Sequence, residues 1–257
     1  MLKVGVFGAT GRVGKMLIEE ILNHHKHFAL SSVYVRNELH YSLPSSTMVT
    51  DSLEVLLQSS DVVIDFSSPQ ATKSLLEQAL LQPKPIVIGT TGLDSSIYHL
   101  IEEASVKMPV LYATNMSRGV AILNKIAASV AAILEESDIE ISEIHHRYKK
   151  DSPSGTALTL AKSCAKARGL NLDNIRISGR DGNIGARSKE EIAVMSLRGG
   201  DVVGRHTVGF YLDGEYLELT HNATSRLTFA KGALEVASWL AHQKNGLYSI
   251  EDALGLH

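Results

Sequence analysis

Two adjacent imidazoles, a lysine and a serine–glycine–threonine turn fall together in the segment Glu143-Ile-His-His-Arg-Tyr-Lys-Lys-Asp-Ser-Pro-Ser-Gly-Thr156. An imidazole or an ammonium can hand a proton to a reacting centre. The amides that open a helix, backed by its dipole, favour an anion such as a carboxylate. The chemistry these types specify is an acidic small molecule held by amides and cations beside a proton donor. The elements that position them are readable on either side. Ile139–Ile144 alternates apolar and polar residues, as a half-buried strand does, and Ala157–Ala167 is rich in Ala, Leu and Lys, as a helix is. His145, His146 and Lys149 are therefore expected on a strand-to-helix loop, with Pro153, Ser154, Gly155 and Thr156 as the opening turn of the helix. Neighbouring strand residues point to opposite faces, and no Cys-x-x-Cys or His-x-x-x-His spacing occurs, so no metal site is expected.

A second constellation stands at the start of the chain. The apolar run 2–7 stops at Gly8-Ala-Thr-Gly-Arg-Val-Gly14 and gives way to the helical pattern MLIEEILNHH. Strand, glycine-rich turn, helix is the context in which such a motif binds a dinucleotide: Gly8 permits the tight turn, Gly11 lets a pyrophosphate approach the backbone, and Gly14 allows close helix–strand packing. Further strand–helix alternations follow at 61–66 and 69–81, 85–88 and 94–107, and 109–112, which implies a doubly wound parallel sheet. Ligands of such sheets lie beyond the carboxyl ends of the strands, so the loops 8–14, 66–69, 89–92 and 113–116 are expected to share one crevice. The polar groups of Gly89-Thr-Thr-Gly92 and Ala113-Thr-Asn-Met116 suit ribose and nicotinamide. A strand at Phe28–Val35 ends in Val35-Arg36-Asn37, with no acid for a free ribose hydroxyl and an arginine suited to a 2′-phosphate, which favours NADPH while leaving NADH possible. His24, His25 and His27 end the first helix, where cations are favourable, and read as surface residues.

The pattern changes after about residue 117. A long helix over 119–136 leads into the strand before the His-His pair, and strand candidates follow near 174–178, 191–197, 202–211 and 215–222. Gly199-Gly200 and Asp213-Gly214 punctuate the last three, the latter as a hairpin turn. This is a mixed, largely antiparallel second domain. A final helix over 230–244, with Leu234, Val236, Trp239 and Leu240 on a buried face, could pack on either domain.

Composition narrows the classes. A length of 257 residues with 44% hydrophobic and 21% charged residues suits a globular enzyme with a substantial core. The net charge of −3 with no basic tract argues against nucleic acid. No apolar run reaches a membrane span, and the N-terminus enters a strand directly, so the expected location is the cytoplasm. The single cysteine, Cys164, sits in a helical run and reads as a packed thiol.

Taken together, GATGRVG, IDFSSP, IGTTG, ATNMSRGV, EIHHRYKKDSPSGTA, SGRDGNIGAR, LRGGDVVGRHTV and THNATSRLTFAKGA resemble the dihydrodipicolinate reductase (4-hydroxy-tetrahydrodipicolinate reductase) family of lysine and diaminopimelate biosynthesis, nearly end to end. The resemblance implies NAD(P)H-dependent reduction of a small cyclic dicarboxylate with loss of water. It implies His145 as acid/base, Lys149 as proton donor, His146 against substrate, and Ser154, Gly155 and Thr156 at a carboxylate. It places the cofactor on Gly8, Ala9, Thr10, Gly11, Arg12, Val13, Arg36, Gly89, Thr90, Thr91, Ala113, Thr114, Asn115 and Met116. It further implies a homotetramer built through the second domain, with residues 1–116 and 227–257 as the dinucleotide-binding domain and 117–226 as the substrate domain. Val35 stands where the family often carries an acid that supports NADH. Arg226, at the junction back to the first domain, is either a substrate aid, or a hinge or structural ion pair. The competing readings are an atypical short-chain NADP(H) reductase, which would want a Tyr-x-x-x-Lys pair that none of the tyrosines here makes, and a non-catalytic NADP sensor, which would not need the His-His-x-x-Lys element.

Overall fold

The structure is a computed structural model and describes every residue except His25, Asn37 and His257. Asn37 of the Val35–Asn37 segment and the surface placement of His25 therefore lie outside the described residues; His24 and His27 are exposed. The chain divides into two compact units, Met1–Arg118 with Arg226–His257, and Gly119–Ser225.

The first unit is a seven-stranded sheet. Its strands are β1 (Leu2–Phe7), β2 (Phe28–Tyr34), β3 (Met48–Thr50), β4 (Val62–Asp65), β5 (Ile86–Ile88), β6 (Pro109–Tyr112) and β12 (Gly246–Tyr248), in the order β12-β6-β5-β4-β1-β2-β3. Every ladder is parallel. Central strands buried on both faces read as near-continuous apolar runs, and β4 and β5 are buried at every position, Asp65 at the end of β4 being the one polar residue among them. The helices are α1 (Arg12–Asn23), α2 (Leu53–Gln58), α3 (Pro69–Leu81), α4 (Ser95–Lys107), α8 (Leu227–Leu240) and α9 (Ile250–Ala253). The α1 helix buries Leu17, Ile18 and Ile21 along one face, the stripe an amphipathic helix presents to a sheet. The chain order reverses at β1, which lies between β4 and β2, and such a reversal opens a crevice at the carboxyl ends. Helix α8 starts at Leu227 and ends at Leu240, short of the Lys244 that composition suggests, with Ala241 as its C-cap.

The second unit holds α5 (Arg118–Ile133, its first residue in the other unit), β7 (Asp138–His145), α6 (Gly155–Ala167), α7 (Leu172–Ile175), β8 (Arg176–Ile177), β9 (Ile192–Arg198), β10 (Gly204–Leu212) and β11 (Glu215–Ala223). The five-stranded sheet runs β11-β10-β7-β9-β8. It is mixed: the β10 ladders to β11 and β7 are antiparallel, and those of β9 to β7 and β8 are parallel. The strand expected near 174–178 is only the two residues of β8, because Leu172–Ile175 closes a helical turn capped by Asn171. Leu123, Ala127 and Ala131 of α5 and Leu160, Ala161 and Cys164 of α6 form one core with Ile139, Ile141, Val194 and Phe210 of the sheet. Burial pushes the Cys164 thiol up to about 12, as a packed, unreactive cysteine requires. Arg168 closes the carboxyl end of α5, its guanidinium donating to the carbonyls of Ala131, Leu134 and Ser137 at 2.6–3.1 Å. Among the described residues no helix is long and apolar enough to cross a membrane.

Candidate active site

Side chains on a strand alternate between faces, and along β7 the buried face carries Ile139, Ile141, Glu143 and His145 in turn. The register sets a cross-strand partner for each. Ile139 lies between Ile192 and Phe210, Ile141 between Val194 and Val208, Glu143 between Ser196 and His206, and His145 beside Arg198. One face of the sheet thus passes from two apolar rungs to two polar ones without a break. His145 is the last residue of the strand and is 9% exposed. The sequence reading puts it on the loop; the period-two phase that buries Ile139 and Ile141 carries on through residue 145 and keeps it on the strand. His146, one step further, is half-buried with its ring 6.3 Å from that of Tyr148.

Glu143, which the sequence reading passes over, is the centre of the site. Its side chain is fully buried, and a buried carboxylate must be paired and hydrogen-bonded. It accepts from His145 Nδ1 at 2.5 Å, from Arg198 Nη1 at 2.9 and 3.0 Å, and from the Ser154 amide at 3.2 Å. Burial alone would raise its pKa, but the hydrogen bonds from His145 and Arg198 hold it below the usual carboxylate range. An ionised carboxylate only accepts, so His145 Nδ1 is the donor and Nε2 of the neutral ring keeps its lone pair. The His145 pKa is lowered, chiefly by burial and also by Lys149 and Arg198, against the opposing pull of Glu143. Gly204 stands beside Nε2, where a Cβ would come within 3.0 Å of it.

The loop after β7 is stitched to the Gly199-Gly200 turn. The Gly199 amide donates to the His145 carbonyl at 2.9 Å, and the Arg147 amide to Gly200 at 3.1 Å. Lys149 is half-buried, its amide bonded to the His146 carbonyl at 3.1 Å and its ammonium 2.9 Å from Asp151. Arg198 also donates to the Asp151 carbonyl at 2.6 Å, so one guanidinium braces both the strand and the loop. Ser154 caps α6, its Oγ accepting the Ala157 amide at 3.3 Å, as N-cap serines do. With the Ser154 amide on Glu143 and the Ala157 amide on the cap, Gly155 supplies a first-turn amide that neither bond uses, and no atom lies within 4 Å of where its Cβ would stand. Thr156 follows it, half-buried. His206, buried to 3% exposure, lies 3.1 Å from Ser154 Oγ through Nε2 and edge-on to His145 at 5.1 Å. Burial and the nearby His145 push its pKa down to about 4.

The first unit presents a different surface. Gly8 has φ +91°, and a Cβ there would lie 2.4 Å from the Phe66 carbonyl; a Cβ on Gly14 would lie 2.2 Å from the Gly8 carbonyl. The Gly11 amide donates to Gly8 at 3.0 Å, and Gly11 is the N-cap of α1 with no side-chain cap. Such a compressed turn, opening onto a helix start, brings amides to an anion and fits a dinucleotide pyrophosphate. A cleft of ≈ 200 Å³ beside it is lined by Gly8, Thr10, Gly11, Val35, Arg36 and Ser67, among others. Thr10, Arg12 and Arg36 are exposed, Val13 is half-buried, and Ala9 is buried with its carbonyl bonded to the Tyr41 hydroxyl at 2.8 Å. The loops after β4 and β5 interlock: a Cβ on Gly89 would meet the Phe66 ring at 2.3 Å, and the Thr90 hydroxyl accepts the Ser67 amide at 2.9 Å and donates to Asp65 at 3.0 Å. Thr90 is thereby spent on holding the loop, while Thr91 is exposed. Asp65, also passed over by the sequence reading, has its pKa raised by burial, against hydrogen bonds from Ser67, Thr72 and Thr90. Beyond β6, Thr114 is exposed, Ala113 donates to the Ile88 carbonyl at 3.1 Å, Asn115 accepts the Ser117 amide at 2.9 Å, and the Met116 carbonyl fits against Gly232 of α8. Arg226 is the N-cap of α8. Among the described residues no cluster of three or more His, Cys, Asp or Glu is placed to hold a metal ion.

Comparison with known proteins gives a concordant picture. The family model described as dihydrodipicolinate reductase, N-terminus, matches residues 2–116, and that described as dihydrodipicolinate reductase, C-terminus, matches residues 119–254. A 4-hydroxy-tetrahydrodipicolinate reductase of Helicobacter hepaticus is 78% identical over 99% of both chains, and one of Wolinella succinogenes is 64% identical over 100% of both. Among solved structures, a dipicolinate-bound dihydrodipicolinate reductase of Paenisporosarcina sp. TG-14 has the same fold, with a TM-score of 0.78, 22% identity and 97% of each chain covered.

Proposed function

The chain belongs to the dihydrodipicolinate reductase family, and from that membership we infer that it is an NAD(P)H-dependent oxidoreductase that reduces 4-hydroxy-tetrahydrodipicolinate to tetrahydrodipicolinate, with loss of water, in lysine and diaminopimelate biosynthesis. The balance is one hydride and one proton in, one water out. When bound, the reduced nicotinamide supplies the hydride; the proton has to come from the protein or from solvent.

The observation that carries this reading is the buried Glu143–His145 pair, 2.5 Å apart and next to the Ser154-capped start of α6. In the proposed reaction His145, through Nε2, is the acid/base residue, and the Lys149 ammonium donates the proton that follows hydride addition. A positioned donor of this kind contributes about 10²–10⁴-fold. The substrate's two carboxylates are matched by the Gly155 and Thr156 turn, with Ser154 holding that turn in shape and His146 at its edge. Gly8 to Val13 would hold the pyrophosphate of the cofactor, and the loops at Gly89–Thr91 and Ala113–Met116 its nicotinamide half. Arg36, exposed on the cleft at the end of β2, is suited to a 2′-phosphate. NADPH is accordingly the proposed preferred cofactor, with NADH usable. We further propose a cytoplasmic homotetramer.

The test is loss of reduced-nicotinamide absorbance with NADPH and with NADH, in the presence of precursor made fresh from aspartate semialdehyde and pyruvate. Substrate-dependent decay, faster with NADPH, is the expected result. Tight cofactor binding with no decay would reject the activity, and equal rates with both cofactors would reject the role of Arg36.

A further inference from the structure

His145 and the first turn of α6 are ten residues apart in sequence, yet both are bonded to one side chain. Glu143 Oε2 takes the His145 Nδ1 proton at 2.5 Å, and Oε1 takes the Ser154 amide at 3.2 Å. Arg198 Nη1 sits against both oxygens, at 2.9 and 3.0 Å, and its Nη2 reaches the Asp151 carbonyl, next to the residue that pairs with Lys149. A carboxylate buried this completely has no freedom to exchange partners with water, so its geometry is the geometry of what it holds.

We propose that Glu143 is the positioning residue of the reaction: its carboxylate selects the His145 tautomer that presents Nε2 and fixes that nitrogen relative to the carboxylate-binding turn of α6, with Arg198 holding the carboxylate in place. This rests on the acid/base role of His145 proposed above. An orienting carboxylate is needed because a neutral imidazole with either nitrogen protonated could otherwise turn over, and only one orientation leaves Nε2 as the nitrogen that exchanges protons with the substrate. The charged and titratable groups that face this imidazole are Glu143 on its own strand, Arg198 on β9, His206 on β10, and Lys149 with its partner Asp151 on the following loop.

The first test uses the wild-type protein and does not depend on turnover. Nitrogen-15 spectra of the imidazoles at neutral pH should show His145 as the Nδ1–H tautomer with a strongly deshielded Nδ1 proton. An Nε2–H tautomer would overturn the proposal. The second compares Glu143→Gln with Glu143→Ala and with Arg198→Met. Glu143→Gln is expected to lower kcat by ~10²–10⁴-fold, up to the scale seen when an orienting carboxylate beside a catalytic imidazole is lost. Cofactor affinity should be unchanged, and the limb of the pH profile that reports protonated His145 should move to lower pH, since the group that favours the imidazolium is gone. Arg198→Met should also lower kcat, by less, and should not move that limb to lower pH, since Arg198 itself lowers the His145 pKa. A Glu143→Gln enzyme with wild-type kcat and pH profile would overturn the proposal while leaving the activity itself intact. If instead the wild-type enzyme fails to reduce the precursor, the functional reading fails and the tautomer result still decides the geometry.

Discussion

At the carboxyl end of β1 the fitted surface is backbone. Gly8, Gly11 and Gly14 matter for the side chains they lack, since a Cβ at Gly8 or Gly14 would lie 2.2–2.4 Å from a carbonyl oxygen. At the carboxyl end of β7 the surface is made of side chains. Glu143, His145, Arg198 and His206 interlock through charge-assisted bonds and ring contacts, and Lys149 joins them through Asp151. The first kind of surface is specified by a few consecutive residues and tolerates no bulk. The second is specified by strand register, draws a partner 55 positions away, and is sensitive to which atom holds a proton. Shape errors should damage the one, and charge or protonation errors the other.

The sharpest way to separate them is to remove a proton-handling group. His145→Gln and Lys149→Ala should each cut turnover by about 10²–10⁴-fold while NADPH still binds, as measured by steady-state rates and cofactor titration; wild-type turnover in both would break the comparison. Acid should distinguish the units next. The His206 pKa lies near 4 in the folded protein against 6.5 for an ordinary histidine, so the unfolded chain takes up the proton first. The stability this contributes is complete above 6.5 and is lost as pH falls towards 4, by about 3 kcal/mol at about 1.4 kcal/mol per pKa unit. Asp65 works in the opposite sense. Its folded pKa is raised, so its cost appears as pH rises past the ordinary carboxylate value. Denaturant midpoints between pH 4 and 7 should therefore drop on the acid side in wild type and flatten in a His206→Gln variant; an unchanged slope would count against the buried neutral imidazole. Third, Gly14→Val should cost about 1–3 kcal/mol through overpacking and abolish cofactor binding, with the His145 nitrogen-15 signature unaltered. The smallest effect belongs to Arg36→Ala, which should raise KM for NADPH about tenfold and leave NADH unchanged, the worth of one exposed charge-assisted contact.

The same contrast governs how much could be read from sequence. Gly8, Gly11 and Gly14 disclose their turn because cause and effect lie within seven residues, and the parallel sheet follows from alternating buried strands and amphipathic helices. His145 shows from sequence a side chain suited to proton transfer but not its setting: the alternation from Ile139 already put it on the buried face, and ending the strand at Ile144 hid that. Continuing the same period would also have marked Glu143 as buried, the one signal that could have found it. Arg198 and His206 carry no such mark, because only the β7–β9 and β7–β10 registers bring them to Glu143. Strands β3 and β12 are three residues each, too short for any periodicity and defined only by the neighbour they pair with. The four-residue helix α9 declares itself by its capping box, Ser249 with Asp252, a local signal that was available.

The order in which the chain visits its sheet has a consequence for its birth on the ribosome. Strand β12 pairs with β6, and α8 packs against α1, β4, β5 and β6, yet the whole of Gly119–Ser225 is synthesised between them. The inserted unit can complete its core as soon as its last strand emerges. The unit that is begun first must wait, with Val110 and Leu111 of β6 lacking their last neighbours, until residues 227–248 leave the tunnel. The nascent protein is thus finished from the middle outwards, and the half-built first sheet is the intermediate that a chaperone would have most reason to shelter.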